Sequence, residues 1–460
     1  MVSTRVLFRR RSGTGRGRRT GDDTRTGRTP TRRHAMDSSL TLRTAAGLAL
    51  CGLLAAGPGL AGAAELPPGT RIDASNVDAV QADTFEGHRI ADLMPPSMVQ
   101  AVKEAGMVID LKASTPLKYN QRVIEATRLQ GDKAGIDDKR HLTGFTTGIP
   151  FMNISDTDPQ GGLKLIYNIM RSPWFADAVD FEPMVFLTTT KARGLSKELH
   201  TKYGRLLQTG RLSQPYTLGD DGVVKREMLM FTYPNDVRGV GTLTVQYEDG
   251  RLPDVYAYIK AVRRVRRLSG SAWADPVIGT DLLTDETFGL NIDPTWYPEY
   301  KITGKRWILA SLHSQSTGAR LDASTPEARY GQLALRPGDG IGFTENFEPR
   351  EVWTLEATMP RGHLASRKLI YVDVDPYYPL MHWQEIYDRK NELWRLLYHS
   401  WVSTVRDDGQ PGIYPSIIWV PDLQRERATW AYLNPTTAHA NFADADPANY
   451  SPQAIPRLLQ

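Results

Sequence analysis

Between Tyr256 and Arg267 the chain reads YAYIKAVRRVRR. Two phenols, Tyr256 and Tyr258, precede four guanidiniums, Arg263, Arg264, Arg266 and Arg267. Guanidinium forks hold carboxylate and phosphate oxygens bidentately, so the string suits an anionic head group or an acidic partner. A free sheet edge protected by charge accounts for the same residues without any ligand. The tryptophans are a second group. Trp353, Trp383, Trp394, Trp401 and Trp430 fall in strand-like segments, where they either line a concave apolar cavity or fill an ordinary core.

Other chemistry is sparse. No H-E-x-x-H, G-x-S-x-G or phosphate-cradling glycine loop occurs, no histidines stand at metal spacing, and no cofactor motif is present. His382 and His399, beside Trp383 and Trp401, read as packed histidines rather than as ligands or bases. Asp281, Asp285 and Glu286 form an acidic group, but the calcium-loop pattern is missing; Asp275 to Glu286 reads as turns and a helix start.

The elements that must carry these residues change character along the chain. Met98, Val99 and Val102, closed by Gly106, suit a short helix; Thr115-Pro116 opens a second over LKYNQRVIEATRLQ; a third follows Asp158-Pro159, with an apolar stripe of Leu163, Leu165, Ile166, Ile169 and Met170. From about residue 180 the period becomes two. Leu243, Val245 and Tyr247 alternate with Thr242, Thr244 and Gln246, and Trp353, Leu355 and Ala357 with Thr354, Glu356 and Thr358. Val255, Ala257, Ile259 and Ala261 alternate likewise, and the break after them predicts a bulge or sharp twist near Ala261. Consecutive strands with short turns predict two antiparallel meanders, roughly 224–268 and 351–401, with a further strand near 425–433. The fold class is therefore α+β, mainly antiparallel β, as one large curved sheet covering a few helices. The tail from Pro435 reads as irregular structure.

Residues 36–64 have the layout of a secretory signal peptide. Arg43 precedes a 12-residue apolar run, Ala45 to Ala56, then Gly57-Pro58-Gly59 and the exit Ala61-Gly62-Ala63. The run is too short to span a bilayer. Residues 1–35, with 11 Arg, read as an over-extended or basic leader. Cleavage after Ala63 removes 12 Arg and 3 Asp and leaves 397 residues with 44 basic and 49 acidic side chains. The whole chain carries +4 at pH 7, whereas the mature part is acidic, which takes away the charge argument for nucleic acid. The single cysteine, Cys51, lies within the signal, so residues 65–460 are expected to form one exported domain held by burial alone.

Three segments carry a resemblance: GTRIDASNVDAVQADTFEG, GVGTLTVQYEDGRLPDVYAYIKAVRRVRRLSGSAWADPVIGTDLLTDE and RKLIYVDVDPYYPLMHWQEIYDRKNELWR. Together they resemble the domain-of-unknown-function family numbered 1329, outer-membrane lipoprotein-sorting-like proteins of Gram-negative bacteria. That family is similar to the lipoprotein carriers LolA and LolB and the stress sensor RseB. The resemblance implies a half-open antiparallel barrel whose concave face holds acyl chains. It also implies a periplasmic carrier of lipid, lipoprotein or another large hydrophobic molecule, serving an exporter or outer-membrane partner; with no catalytic motif found, an enzyme is not expected. A lipid or ester hydrolase and an RseB-like protein-binding module are the alternatives. Arg263, Arg264, Arg266, Arg267, Tyr256, Tyr258, Trp353, Trp383 and Trp394 are the expected ligand-binding residues.

Overall fold

The computed structural model describes residues 63–172, 176–260, 263–269, 273–316, 318–406, 409–433, 437–441 and 445–458. The leader and nearly all of the signal segment lie outside them. From Ala61 onward the chain clusters as one unit.

The predicted helices are present. After α1 (Ile90–Leu93), α2 (Pro96–Gln100) starts on its own proline and runs through a wide turn at 101–105 to Gly106, whose φ of 80° a side chain would resist. Asn120 caps α3 (Gln121–Gln130) by accepting a bond from the Arg122 N–H at 3.0 Å. The stripe on α4 (Gly161–Arg171) is buried. At Gly162 a Cβ would lie 2.3 Å from the Tyr300 carbonyl, so glycine there lets α4 lie directly on the sheet.

Short strands β1 (Arg71–Ile72) and β4 (Val108–Leu111) and the hairpins β2 (Thr84–Phe85) with β3 (His88–Arg89) and β5 (Gly135–Ile136) with β6 (Leu142–Thr143) decorate the first part. A first meander follows: β7 (Ala178–Thr190), β8 (Gly194–Leu207), β9 (Val223–Tyr233), β10 (Val240–Tyr247), β11 (Asp254–Ile259) and β12 (Arg264–Leu268). The second is β13 (Glu299–Ala310), β14 (Thr344–Thr358), β15 (Arg367–Asp373), β16 (Met381–Tyr387), β17 (Leu393–Val405), β18 (Pro411–Asp422) and β19 (Arg427–Leu433), with α5 (Pro326–Arg329) between its first two strands.

One antiparallel pairing welds the two meanders: Arg427 to Leu433 of β19 against Thr190 to Met184 of β7. The result is a curved 16-stranded sheet that does not close. It runs from β1 and β4, the latter parallel to β14, and from β13, which also pairs β14, through β19 and β7 to β12, whose outer edge has no strand partner among the described residues. Pro183 sits where β7 shifts register against β8, a position at which its missing N–H costs no ladder bond.

Two large cores lie on opposite faces. One joins α4 to Phe181, Phe186, Leu355, Ile370 and Ile418; the other joins α1 and α2 to Val185, Leu187, Trp383, Trp419 and Trp430. The predicted arrangement, one sheet over a few helices, is observed, and helices cover both faces. The tail does more than drape. In it β20 (Ala438–Ala440) pairs with Val179 to Phe181, and Tyr450 and Ile455, the latter in α6 (Ile455–Leu458), pack on Leu243, Val245 and Tyr258. The predicted bulge point, Ala261, lies outside the described residues. Around it the chain reverses rather than bulges, and β11 and β12 pair as a hairpin with Arg263 at φ 48° in the turn.

Candidate ligand chamber

Strand parity decides what the first meander shows to each side. On β10, Leu243 and Val245 pack under the C-terminal tail, while Thr242, Thr244 and Gln246 face the other way. On β11, Val255, Ala257 and Ile259 share that second face. The connection from β12 to β13, residues 273–297, lies across it as a roof. Between sheet and roof is a cavity of 440 Å³, floored by Phe186, Leu229, Phe231, Val255, Ala257 and Ile259 and roofed by Trp273, Pro276, Val277, Leu282, Phe288 and Trp296. Its size falls in the range of small-molecule sites. Ile259, Leu268 and Ile278 line it and remain 42–46% exposed, so the rim itself is apolar.

The inner wall carries a small polar group. Glu227 accepts from the Tyr203 hydroxyl at 2.5 Å and from Asn291 Nδ2 at 3.1 Å, and Lys225 Nζ lies 3.3 Å away. Asn291 Oδ1 in turn accepts from Lys225 and Gln246. Burial alone pushes the Glu227 carboxyl up, but Lys225, Tyr203 and Asn291 outweigh it and hold it below the ordinary range. These groups satisfy one another, so the chamber offers a ligand mostly apolar surface.

A buried ionic anchor fastens the roof to the second meander. Asp285 and Glu286 are fully buried. Glu286 receives both Arg395 Nη atoms at 2.7 and 2.8 Å and lies 3.3 Å from Lys368 Nζ. Asp285 accepts from Tyr297, from Lys368 at 3.2 Å and pairs with His363 at 3.3 Å. Burial favours protonation of both carboxyls. Around Asp285, Lys368 and His363 outweigh it, and around Glu286, Arg395 and Lys368 do, so both stay below the ordinary carboxylate range. Nearby, Asp281 accepts from Arg427 Nε at 2.9 Å and from Thr429. The acidic group read from the sequence as turns and a helix start is indeed a turn start, since Glu286 accepts from the Leu283 N–H. The sequence reading missed its counter-cations, which come from strands 80 and more residues away. No cluster suited to a metal occurs among the described residues.

The predicted site residues separate. Pairing of Ile259 with Arg264 and of Ala257 with Arg266 puts these two arginines on the chamber face, at the open edge. Arg267 pairs with Tyr256, falls on the opposite face and is bonded to Asp254. Tyr256 and Tyr258 face that side too, against the tail, because they alternate with the chamber-facing residues. Trp383 packs on α2 across the sheet, its Nε1 donating to Ser97 Oγ at 3.0 Å. Trp353 does lie in the core on the chamber side, beneath Lys305 at 4.3 Å, but away from the chamber. Trp394 donates to Asp422 at 3.0 Å. None of these three tryptophans and two tyrosines, expected from the sequence to bind ligand, is among the residues lining this chamber. Trp273 and Trp296, in the loop between the meanders, line it instead. Their only sequence signal was proximity to the arginine string. His382 bonds Asp373 at 3.1 Å, but His399 is buried with neither ring nitrogen bonded, and burial, then His382, lowers its pKa to about 3.

A curved, unclosed antiparallel sheet with a roofed apolar chamber on one face defines an open half-barrel protein. Residues 71–456 match the family DUF1329, described as proteins of unknown function, and the chain belongs to it. Among similar solved structures, a DUF1329 protein from Desulfovibrio piger shares 18% identity at TM-score 0.45, covering 65% of this chain and 100% of its own. A candidate outer membrane lipoprotein-sorting protein domain from Vibrio parahaemolyticus shares 14% at 0.43, again over 65% and 100%. A LolA superfamily protein from Nitrosomonas europaea shares 11% at 0.33, over 62% and 95%. Comparison with curated proteins gave no match. Among the described residues no helix is long and apolar enough to cross a membrane.

Proposed function

We propose that the protein is a periplasmic carrier or binding protein for a lipid or other large hydrophobic molecule, exported through a cleaved signal and serving an exporter or an outer-membrane acceptor. The observation that carries this reading is the 440 Å³ chamber with its exposed apolar rim. Such surface on a folded protein marks a place where apolar material is received. Burial of an acyl chain returns about 0.8 kcal/mol per methylene, enough for micromolar binding once the cost of association is met. The titratable groups on the chamber's inner wall support holding rather than chemistry, because Glu227 and Tyr203, which line it, and Lys225 beside them are bonded to one another. Protein purified natively from the periplasm should yield extractable lipid by mass spectrometry, near one molecule per chain. Empty protein that also binds no apolar probe would rule the carrier reading out.

A further inference from the structure

The arginine string divides into two roles once its register is known. Arg264 and Arg266 lie on the same face as Ile259, Ala257 and Leu268, at the free edge of the sheet, and both are exposed. Among the described residues neither side chain has a hydrogen bond or ion pair, whereas Arg267, on the reverse face, is held by Asp254. Residues two apart on a strand stand about 7 Å apart on one face, so both forks can reach one head group. They flank the apolar rim made by Ile259, Leu268 and Ile278. Unpaired cations beside an apolar opening match a ligand with an acyl chain and anionic oxygens on one molecule.

We propose that the chamber mouth selects anionic amphiphiles, with Arg264 and Arg266 contacting carboxylate or phosphate oxygens of a head group that stays at the rim while the chain lies inside. This rests on the carrier reading and adds the head-group class and the ligand's orientation. Edge protection by charge needs only charge; it does not require Arg264 and Arg266 to be left unpaired on the chamber side while Arg267 is tied down behind.

The test is displacement of an environment-sensitive fatty-acyl probe at low salt and pH 8 by three competitors of equal chain length: hexadecanoic acid, hexadecyl phosphate and hexadecanol. For wild type, at least one anionic competitor should outcompete the alcohol by about fivefold, the sum of two exposed charge contacts. In about 1 M salt the preference should vanish, because screening then acts within about 3 Å. Arg264→Gln/Arg266→Gln should lose the preference and keep its affinity for hexadecanol, while Arg267→Gln should keep both. Preference for the phosphate would point to lipid phosphate as the source, and preference for the acid to free fatty acid. Equal binding of all three by wild type, or a preference that survives in the double variant, overturns the head-group site and leaves the carrier reading standing. If neither the probe nor any competitor binds, both fail.

Discussion

Replacing Arg395 by methionine should destabilise the protein by about 3–5 kcal/mol, the usual cost of removing one partner of a buried ion pair. Arg395 is 1% exposed and Glu286 0%, so water cannot take over the lost bonds of 2.7 and 2.8 Å. The bond to the Asp281 carbonyl at 2.5 Å goes with them. Lys368, 3.2 Å from Asp285 and 3.3 Å from Glu286, would then be shared between the two carboxylates, with only His363 beside Asp285 to assist it, so the cluster loses one positive charge. Lys368 offsets part of the loss, which favours the lower half of the range. Urea unfolding at pH 7 should show a lower midpoint with an unchanged slope. Glu286→Gln/Arg395→Met should recover most of the difference, because it removes the stranded charge together with its partner. The pH dependence has a definite sign. Unpaired and buried, Glu286 in the single variant binds its proton more tightly folded than unfolded, so the penalty shrinks as pH falls towards 5. Since Asp285 and Glu286 fasten the roof, the single variant should also hold an acyl probe more weakly. A cost below about 1 kcal/mol, or a double variant no better than the single, would refute the anchor.

Two further outcomes follow from the same structure. His399 has a folded pKa of about 3, below its unfolded value, so the unfolded state binds the extra proton and stability falls as pH drops from about 6.5 towards 3; His399→Phe should reduce that slope by about 1.4 kcal/mol per pH unit, and an unchanged slope would mean that the imidazole already finds a partner. Amino-terminal sequencing of periplasmic protein should find Ala64 or Glu65 first, from the small residues at Ala61 and Ala63; a start upstream of Met36 would contradict the export signal.

The sheet was legible where only one of its faces carries a continuous apolar row. Residues 242–247 alternate because Leu243 and Val245 pack under the tail while the threonines face the chamber. The meanders read from such segments, 224–268 and 351–401, are parts of the observed ones, which begin at Ala178 and Glu299 and of which the second ends at Leu433. β18 hid because it is buried on both faces: Ile417, Ile418, Trp419 and Val420 are all covered, so no period of two survives. β7 is likewise buried on both sides and is interrupted at Pro183. The arginine string and its spread over both faces were legible, but not which arginine takes the chamber face. A turn inside what read as one strand decides which face each side chain takes, and a slip of one residue exchanges the faces. Aromatic content pointed to the wrong tryptophans for a related reason. Those on strands fill the cores, and those lining the chamber lie in a loop whose path depends on ion pairs to strands far along the chain.

The chamber itself is tested most directly by filling it. Ala257 lines the chamber floor, flanked on that face by its cross-strand partners Thr242 and Arg266, so a larger side chain there projects into the cavity. Ala257→Trp should therefore fold with a melting temperature close to wild type, yet lose both saturable binding of an acyl probe and the lipid recovered from natively purified protein. Wild-type protein should bind the probe near one per chain with a change in Trp273 and Trp296 emission. Undiminished binding or lipid recovery in a folded Ala257→Trp variant would contradict the assignment of this chamber as the ligand site.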